Sequence, residues 1–203
     1  LGSEYTITIE EQLSTYDGLP TRSKLNMLSE RKGLPTDRHA EIARAKQKHT
    51  VEILKETVQP RQDFVDMCRE IKDRGYTLAC ASNAVRDTVK MSLLQLGIIE
   101  YFDFWISNED VVKPKPHFEM YFKCMLKADA KTGETFIVED SHIGRQAVLD
   151  AGGHLLAVAD TSDVSLSRIL DAIEQHNEIP KQRIPWKSRS MNVLIPMAGA
   201  GSR

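Results

Sequence analysis

Residues 76–83 read Tyr76-Thr77-Leu78-Ala79-Cys80-Ala81-Ser82-Asn83, and this stretch decides the fold. A short apolar run, too short for a helix and preceded by Gly75, suits a buried strand. It breaks off into two small polar residues. Upstream, Phe64, Cys68 and Ile71 recur at helical spacing. Downstream, Val85, Val89, Leu93 and Leu96 mark a helix that ends at Gly97.

The same unit repeats along the chain. Phe102–Ile106 is a predicted strand, Phe118, Tyr121, Met125 and Leu126 mark a helix, and Thr135–Val138 is the next strand. Ile143, Ala147 and Ala151 then predict a helix, His154–Ala159 a strand, and Leu166, Ile169 and Ile173 a last helix. Strands alternating with helices of this length predict an α/β fold, a Rossmann-like three-layer arrangement with a parallel sheet covered on both faces. Ligands of such sheets bind beyond the carboxyl ends of the strands.

Residues 1–60 differ in texture. They are polar and helix-like, with turns at Asp17-Gly18, Gly33 and Pro35, and Tyr5–Ile9 alternates only briefly. A helix over about Asp37–Thr57 carries Ala43, Val51, Leu54 and Val58 on one face among many charges. At the other end, a polar, proline-containing linker is predicted over 177–190, and a new apolar run opens at Met191.

Composition narrows the function classes. The chain has 203 residues, 41% hydrophobic and 28% charged, enough for a full domain and a small appendage. With 27 basic against 29 acidic residues, the formal charge of -2 leaves no basic surplus, so nucleic acid is not an expected partner. No apolar run reaches the roughly 18 residues of a membrane span, and no signal-peptide pattern opens the chain. Cys68, Cys80 and Cys124 sit in apolar stretches at no metal-ligand spacing, and they read as reduced core thiols of a cytoplasmic protein.

The polar residues that follow the predicted strands are Ser82 and Asn83, Ser107–Asp110, Glu139 and Asp140, and Asp160. In a parallel sheet they converge on one edge. Adjacent carboxylates at Glu139 and Asp140 repel one another there unless a lysine or cation compensates. A hard divalent ion such as magnesium suits them, and a serine hydroxyl with a lysine suits phosphate oxygens. Taken singly, each has a plainer reading: Asp140-Ser141 as a helix N-cap, Ser82 as a turn residue, and a lysine between prolines as a solvated charge.

Taken together, Leu78–Asn83, then Lys115-Pro116 with Glu119-Met120-Tyr121, then Phe136–Ser141 with Gly144, resemble the haloacid dehalogenase superfamily of phosphatases. The likeness extends to the subgroup of phosphoglycolate phosphatase and beta-phosphoglucomutase and covers about residues 1–175. It implies a haloacid dehalogenase-like core over 61–176, lacking its first strand, with most of a helical cap over 1–60. It also implies magnesium held by Glu139 and Asp140, directly or through water, and a small phosphorylated substrate. Ser82 matches the residue that hydrogen-bonds the transferring phosphoryl group, with Asn83 beside it. Lys115 matches the charge-neutralising lysine, preferred over Lys113 by its spacing and by Pro116. Phe118 departs from the family's usual proline.

The family attacks phosphate with the first aspartate of an Asp-x-Asp-Gly-Thr/Val sequence, and none occurs here. The expectation is a nucleophile upstream of Leu1 and a segment inactive alone. Within the cap, Gly18–Lys24 resembles the loop that reaches the substrate, with Arg22 and then Lys24 as candidates for its nonreacting part. Met191–Arg203 resembles the opening strand and glycine-rich loop of sugar-phosphate nucleotidyltransferases, with Gly199, Gly201 and Arg203 toward a nucleotide. The leading expectation is a magnesium-dependent phosphatase working through an aspartyl-phosphate. The alternatives are a noncatalytic phosphate-binding or regulatory module for a nucleotidyltransferase, and a phosphoglucomutase-type phosphotransferase.

Overall fold

A computed structural model describes residues 2–178 and 192–194. Three short strands follow one another in the expected α/β order: β1 (Thr77–Ala81), β2 (Phe104–Ile106) and β3 (Thr135–Glu139). β4 (His154–Ala157) and β5 (Asn192–Leu194) complete a sheet of order β2-β1-β5-β3-β4, with every pairing parallel.

Side-chain alternation along the strands sorts the core into two layers. Leu78 and Cys80 of β1, with Phe136 and Val138 of β3, face three helices. These are α4 (Gln62–Asp73), α5 (Arg86–Gln95) and α8 (Leu166–Glu178), which supply Cys68, Ile71, Val89, Leu93, Ile169 and Ile173. The opposite positions, Ala79, Ala81 and Ile137, face α6 (Glu119–Lys127) and α7 (His142–Ala151) through Met120, Tyr121, Cys124 and Ala147. All three cysteines are buried, as their apolar surroundings predict.

Residues 3–57 form a separate helical unit: α1 (Ile9–Glu11), α2 (Thr21–Lys32) and α3 (His39–Thr57). Tyr16, Leu25, Leu28 and Leu34 make a small core of its own. Tyr5–Ile9, which alternates in sequence, is not a strand. Ser3–Tyr5 is a 3-10 turn, and Thr8 with Glu11 forms a capping box that opens α1. Among the described residues, no helix is long and apolar enough to cross a membrane.

Several boundaries differ from the sequence expectation, the fourth strand ending at Ala157 rather than Ala159 among them. The second strand begins at Phe104 rather than Phe102, because Ile99–Tyr101 closes into a 3-10 turn and Phe102 N–H bonds back to Ile99. Asp103 then accepts from Leu78 N–H at 2.8 Å and from Lys72, fastening the start of β1.

The larger difference lies at the tail. The sequence separates 191–203 from the core as the start of another domain, yet Asn192–Leu194 lies in the middle of the core sheet. Val193 is in register with Leu78 on one side and Phe136 on the other. β1 and β3 do not pair with each other, so without a strand between them each would hold a row of unpaired backbone groups inside the core. A short parallel strand satisfies both rows. Asn177 and Glu178, placed in the linker by sequence, end α8 instead. The remaining linker residues and the loop candidates Gly199, Gly201 and Arg203 lie outside the described residues.

Candidate functional site

Ser82, Glu139 and Asp140 are delivered by the ends of strands. β1 ends at Ala81, and Ser82 continues its ladder through an N–H bond to Ile106 O at 3.0 Å. The Ser82 side chain is 5% exposed, and its Oγ accepts from Ala84 N–H at 3.1 Å. β3 ends on Glu139, and Ser141 caps α7 by accepting from Gly144 N–H at 3.1 Å. Between them, the loop after β2 carries Lys115.

Lys115 is 5% exposed, whereas Lys113 is exposed, so burial separates the two candidates. The Lys115 Nζ donates to Ala81 O at 3.0 Å and to Glu139 Oε2 at 2.9 Å, and it sits 4.7 Å from the centroid of the Tyr121 ring. This ammonium joins the ends of β1 and β3.

Glu139 is 1% exposed and has no free lone pair to offer. Its Oε2 accepts from Lys115 and from the Tyr121 hydroxyl. Its Oε1 accepts from Ser141 N–H at 3.1 Å and from Ser141 Oγ at 2.7 Å. Burial works to raise the pKa of this carboxyl, but the Lys115 charge and the hydrogen bonds from Ser141, Tyr121 and Lys115 hold it below the ordinary value. Gly144 is required beside it, because a Cβ there would lie 2.0 Å from Glu139 Cδ.

Asp140 stands in the opposite condition. Burial, and then the neighbouring Glu139 charge, push its carboxyl above the usual range. Arg145 holds the main chain here, donating to Asp140 O at 3.0 Å and to Val158 O at 2.6 Å.

The resemblance implies that Glu139 and Asp140 hold magnesium directly or through water. In the structure four donors surround Glu139, which is the counter-charge of Lys115. Asp140 keeps a carboxylate under unfavourable charge, and this fits a hard cation. Magnesium is bound through one or two carboxylates together with substrate phosphate and water. Among the described residues, no group of three or more His, Cys, Asp or Glu comes together.

Asn83, the candidate for phosphate or substrate beside Ser82, is likewise occupied. Its side chain does not stand free toward a substrate, since both donors and its oxygen are taken by main-chain groups of Gly18 and Lys115. Ser107–Asp110 folds on itself, with Asp110 accepting from Ser107 and paired to Arg86. Asp160 caps the turn at 161–163 through Ser162 N–H. In the helical unit, Arg22 is exposed and Lys24 half-buried on the first turn of α2. Burial, and then the Lys46 charge, lower the Lys24 pKa against the opposing pull of Asp17.

Tyr121 and Arg145 escape a reading of the sequence, and Ser141 is read there only as part of a helix N-cap, which it is. Tyr121 sits at helical spacing among apolar neighbours and reads as core, which it is. The signal is its hydroxyl, which needs a partner once buried. Ser141 and Arg145 act at one helix start, and only the folded turn shows what they hold.

The Lys115 loop is braced by Glu119, whose carboxylate accepts from Val112 N–H at 3.0 Å and Lys113 N–H at 2.8 Å and pairs with Lys123. The Val112 N–H bond first, then Lys123 and the Lys113 N–H, lower its pKa from 4.5 to about 2. Because the folded value lies below the unfolded one, the stabilisation is present above pH 4.5 and is lost as pH falls toward about 2. Across that window, the thermal midpoint of the wild type should fall more steeply than that of Glu119→Gln. Parallel curves would contradict the brace.

Comparison with known proteins agrees with this fold. The sequence pattern of the family described as haloacid dehalogenase-like hydrolase matches residues 3–158. Pyrophosphatase PpaX of Bacillus mycoides (strain KBAB4) is 31% identical over 106 residues, 52% of this chain and 49% of that protein. The chain thus spans about half the length of the curated relatives it matches. Among solved structures, beta-phosphoglucomutase from Clostridium difficile superposes with a TM-score of 0.71 at 17% identity, covering 84% of both chains. CbbY from Rhodobacter sphaeroides in complex with xylulose-(1,5)bisphosphate gives 0.68 at 21% identity, covering 75% of this chain and 71% of that one. At such identities these likenesses concern the fold alone.

Proposed function

We propose a reading that starts from one fact: this chain belongs to the haloacid dehalogenase-like hydrolase family. Its strand-end edge handles the phosphoryl group of a small phosphorylated metabolite in a magnesium-dependent phosphomonoester hydrolase. The observation that carries this reading is the buried Lys115–Glu139 pair joining the ends of β1 and β3, with Ser82 and Asp140 beside it.

Each group has a task that follows from its surroundings. Lys115 is fixed in place by Glu139 and Ala81 O, so its positive charge is already oriented when an anion arrives. Such preorganised charge in a water-poor site costs no reorganisation during reaction. The Ser82 hydroxyl donates to a phosphoryl oxygen. Tyr121 and Ser141 keep Glu139 ionised and hold it in one orientation. Asp140 is the residue that would hold magnesium, which when bound screens phosphate charge.

On this reading the attacking carboxylate comes from outside the described residues. Glu139 is saturated, and no two aspartates in the sequence stand two positions apart. On this reading a carboxylate oxygen attacks phosphorus, the ester P–O bond breaks, and the leaving oxygen takes a proton. Water then hydrolyses the aspartyl-phosphate, releasing phosphate and restoring the carboxylate. The pyrophosphatase name of the sequence relatives is compatible with such phosphorus chemistry. The helical unit over 1–60 is read as the substrate-facing part of a cap, with Arg22 and Lys24 its candidate cations.

The test is phosphate binding by this chain, followed by phosphorus NMR at rising magnesium. Wild type should bind inorganic phosphate more tightly with magnesium than without. Asp140→Asn should lose the magnesium response while keeping its fold, with a thermal midpoint equal to or above wild type because a half-buried like charge has been removed. Magnesium-independent binding in both proteins would contradict the assignment.

A further inference from the structure

Asn83 follows Ser82 directly, and its carboxamide is used entirely within the protein. Nδ2 donates to Gly18 O at 2.9 Å and to Lys115 O at 3.0 Å, and Oδ1 accepts from Lys115 N–H at 3.0 Å. A carboxamide has two N–H donors in one plane with its acceptor, so these partners fix both its position and its rotation. The Asn83 main-chain oxygen accepts in turn from Asn108 Nδ2 at 2.9 Å. One residue therefore joins the loop after β1, the loop after β2 and the turn at the base of the helical unit.

That turn is seated on the core at a second point. Gly18 has φ of +70° and packs over the first turn of α7, where a Cβ would lie 2.8 Å from Ile143 Cδ1 and 3.7 Å from Ser141 Cβ. Leu19 N–H closes the turn on Tyr16 O at 3.3 Å. The helical unit thus rests its 16–20 turn on the residues that follow Glu139 and on the residue that follows Ser82.

We propose that Asn83 is a positioning residue that couples the seating of the 16–20 turn to the backbone placement of Lys115. When the turn is seated, Gly18 O holds one Nδ2 hydrogen and sets the carboxamide plane. In that plane, the other hydrogen and the oxygen grip Lys115 O and Lys115 N–H together. When the turn lifts, the plane loses one of its three anchors and can rotate, so the grip on Lys115 slackens. Lys115 then loses the main-chain position from which its Nζ reaches Ala81 O and Glu139. The task given to Lys115 rests on the proposed function, but the coupling is a property of the fold and is tested without it.

Amide hydrogen exchange resolved by NMR on the chain tests the coupling through Gly18→Ala, Asn83→Ala and Asn83→Asp. Gly18→Ala strains the turn at its φ of +70° and crowds Ile143 Cδ1, and it leaves Asn83 and Lys115 unaltered. It should nevertheless speed exchange of the Lys115 amide about tenfold, with the β1 amides of Leu78–Ala81 unchanged. Asn83→Ala should speed exchange at both Lys115 and Leu19. Asn83→Asp keeps an acceptor but lacks the N–H donors, so Leu19 should exchange as in Asn83→Ala while Lys115 stays nearer wild type. The proposal is overturned if Gly18→Ala frees Leu19 but not Lys115. It is equally overturned if Asn83→Ala frees Lys115 but not Leu19, an outcome readable even if Gly18→Ala destabilises the whole fold. Failure here leaves magnesium-linked phosphate binding untouched, so the two ideas fall separately.

Discussion

Replacing Lys115 with methionine should destabilise the fold by about 3–5 kcal/mol, the cost of leaving a buried charge without its partner. Glu139 is 1% exposed and Lys115 5% exposed, so water does not screen the orphaned carboxylate. Tyr121 and Ser141 would still donate to it, but hydrogen bonds alone must then oppose the burial penalty that Lys115 now offsets. Without the ammonium, the Glu139 carboxyl should take up a proton at a higher pH than in wild type. The double variant Lys115→Met with Glu139→Gln should recover much of the loss, because no net charge remains to be buried. Urea midpoints of the three proteins measure the effect, and a loss below about 1 kcal/mol for the single variant is the value of a solvent-screened pair and would contradict the buried one.

Val193→Pro is the second large effect. Val193 sits in the central strand, in register with both Leu78 and Phe136. Proline has no N–H for the ladder, and its ring crowds the neighbouring strand. The lost bond leaves a buried carbonyl unsatisfied at roughly 1–3 kcal/mol, and the steric term adds to that. Since, among the described residues, β5 joins the β1–β2 pair to the β3–β4 pair, the variant should unfold at markedly lower urea. A variant as stable as wild type would mean that β5 does not lie between β1 and β3.

Much of this architecture is legible in the sequence because its signals are local. Tyr76–Ala81 and Thr135–Val138 are apolar runs too short for helices, and each stops at a polar residue at the sheet edge. Helix faces such as Phe64, Cys68 and Ile71 repeat at the period that buries them. The position of the tail strand is not legible, because an apolar run such as Val193–Met197 carries no mark of which neighbours it will pair with. It reads equally well as the start of another domain. Pairing is decided by the unpaired edges of β1 and β3, which exist only once those strands are folded.

The site divides along the same line. Ser82, Glu139 and Asp140 are singled out because strand ends converge in a parallel sheet, and Lys115 by the family resemblance of its loop. What each one does is not found that way. Glu139 and Asp140 are neighbours of like charge in sequence, yet Glu139 is enclosed by Lys115, Tyr121 and Ser141, whereas Asp140 has its pKa raised. Their unequal surroundings come from α6 and α7 packing on the same face of the sheet. Asn83, adjacent to a candidate phosphate ligand, is in the fold a clamp between loops.

The central claim is that this edge handles phosphoryl groups with the help of magnesium at Asp140. Its most direct test is phosphate release from a panel of sugar and organic-acid phosphomonoesters by the longest natural polypeptide that contains this chain, assayed with magnesium and with chelator. The account predicts release that requires magnesium and falls at least about a hundredfold in Asp140→Asn, the loss of roughly 2.7 kcal/mol of transition-state stabilisation. Release indifferent to both chelator and Asp140→Asn, or no release from any phosphomonoester, would contradict it.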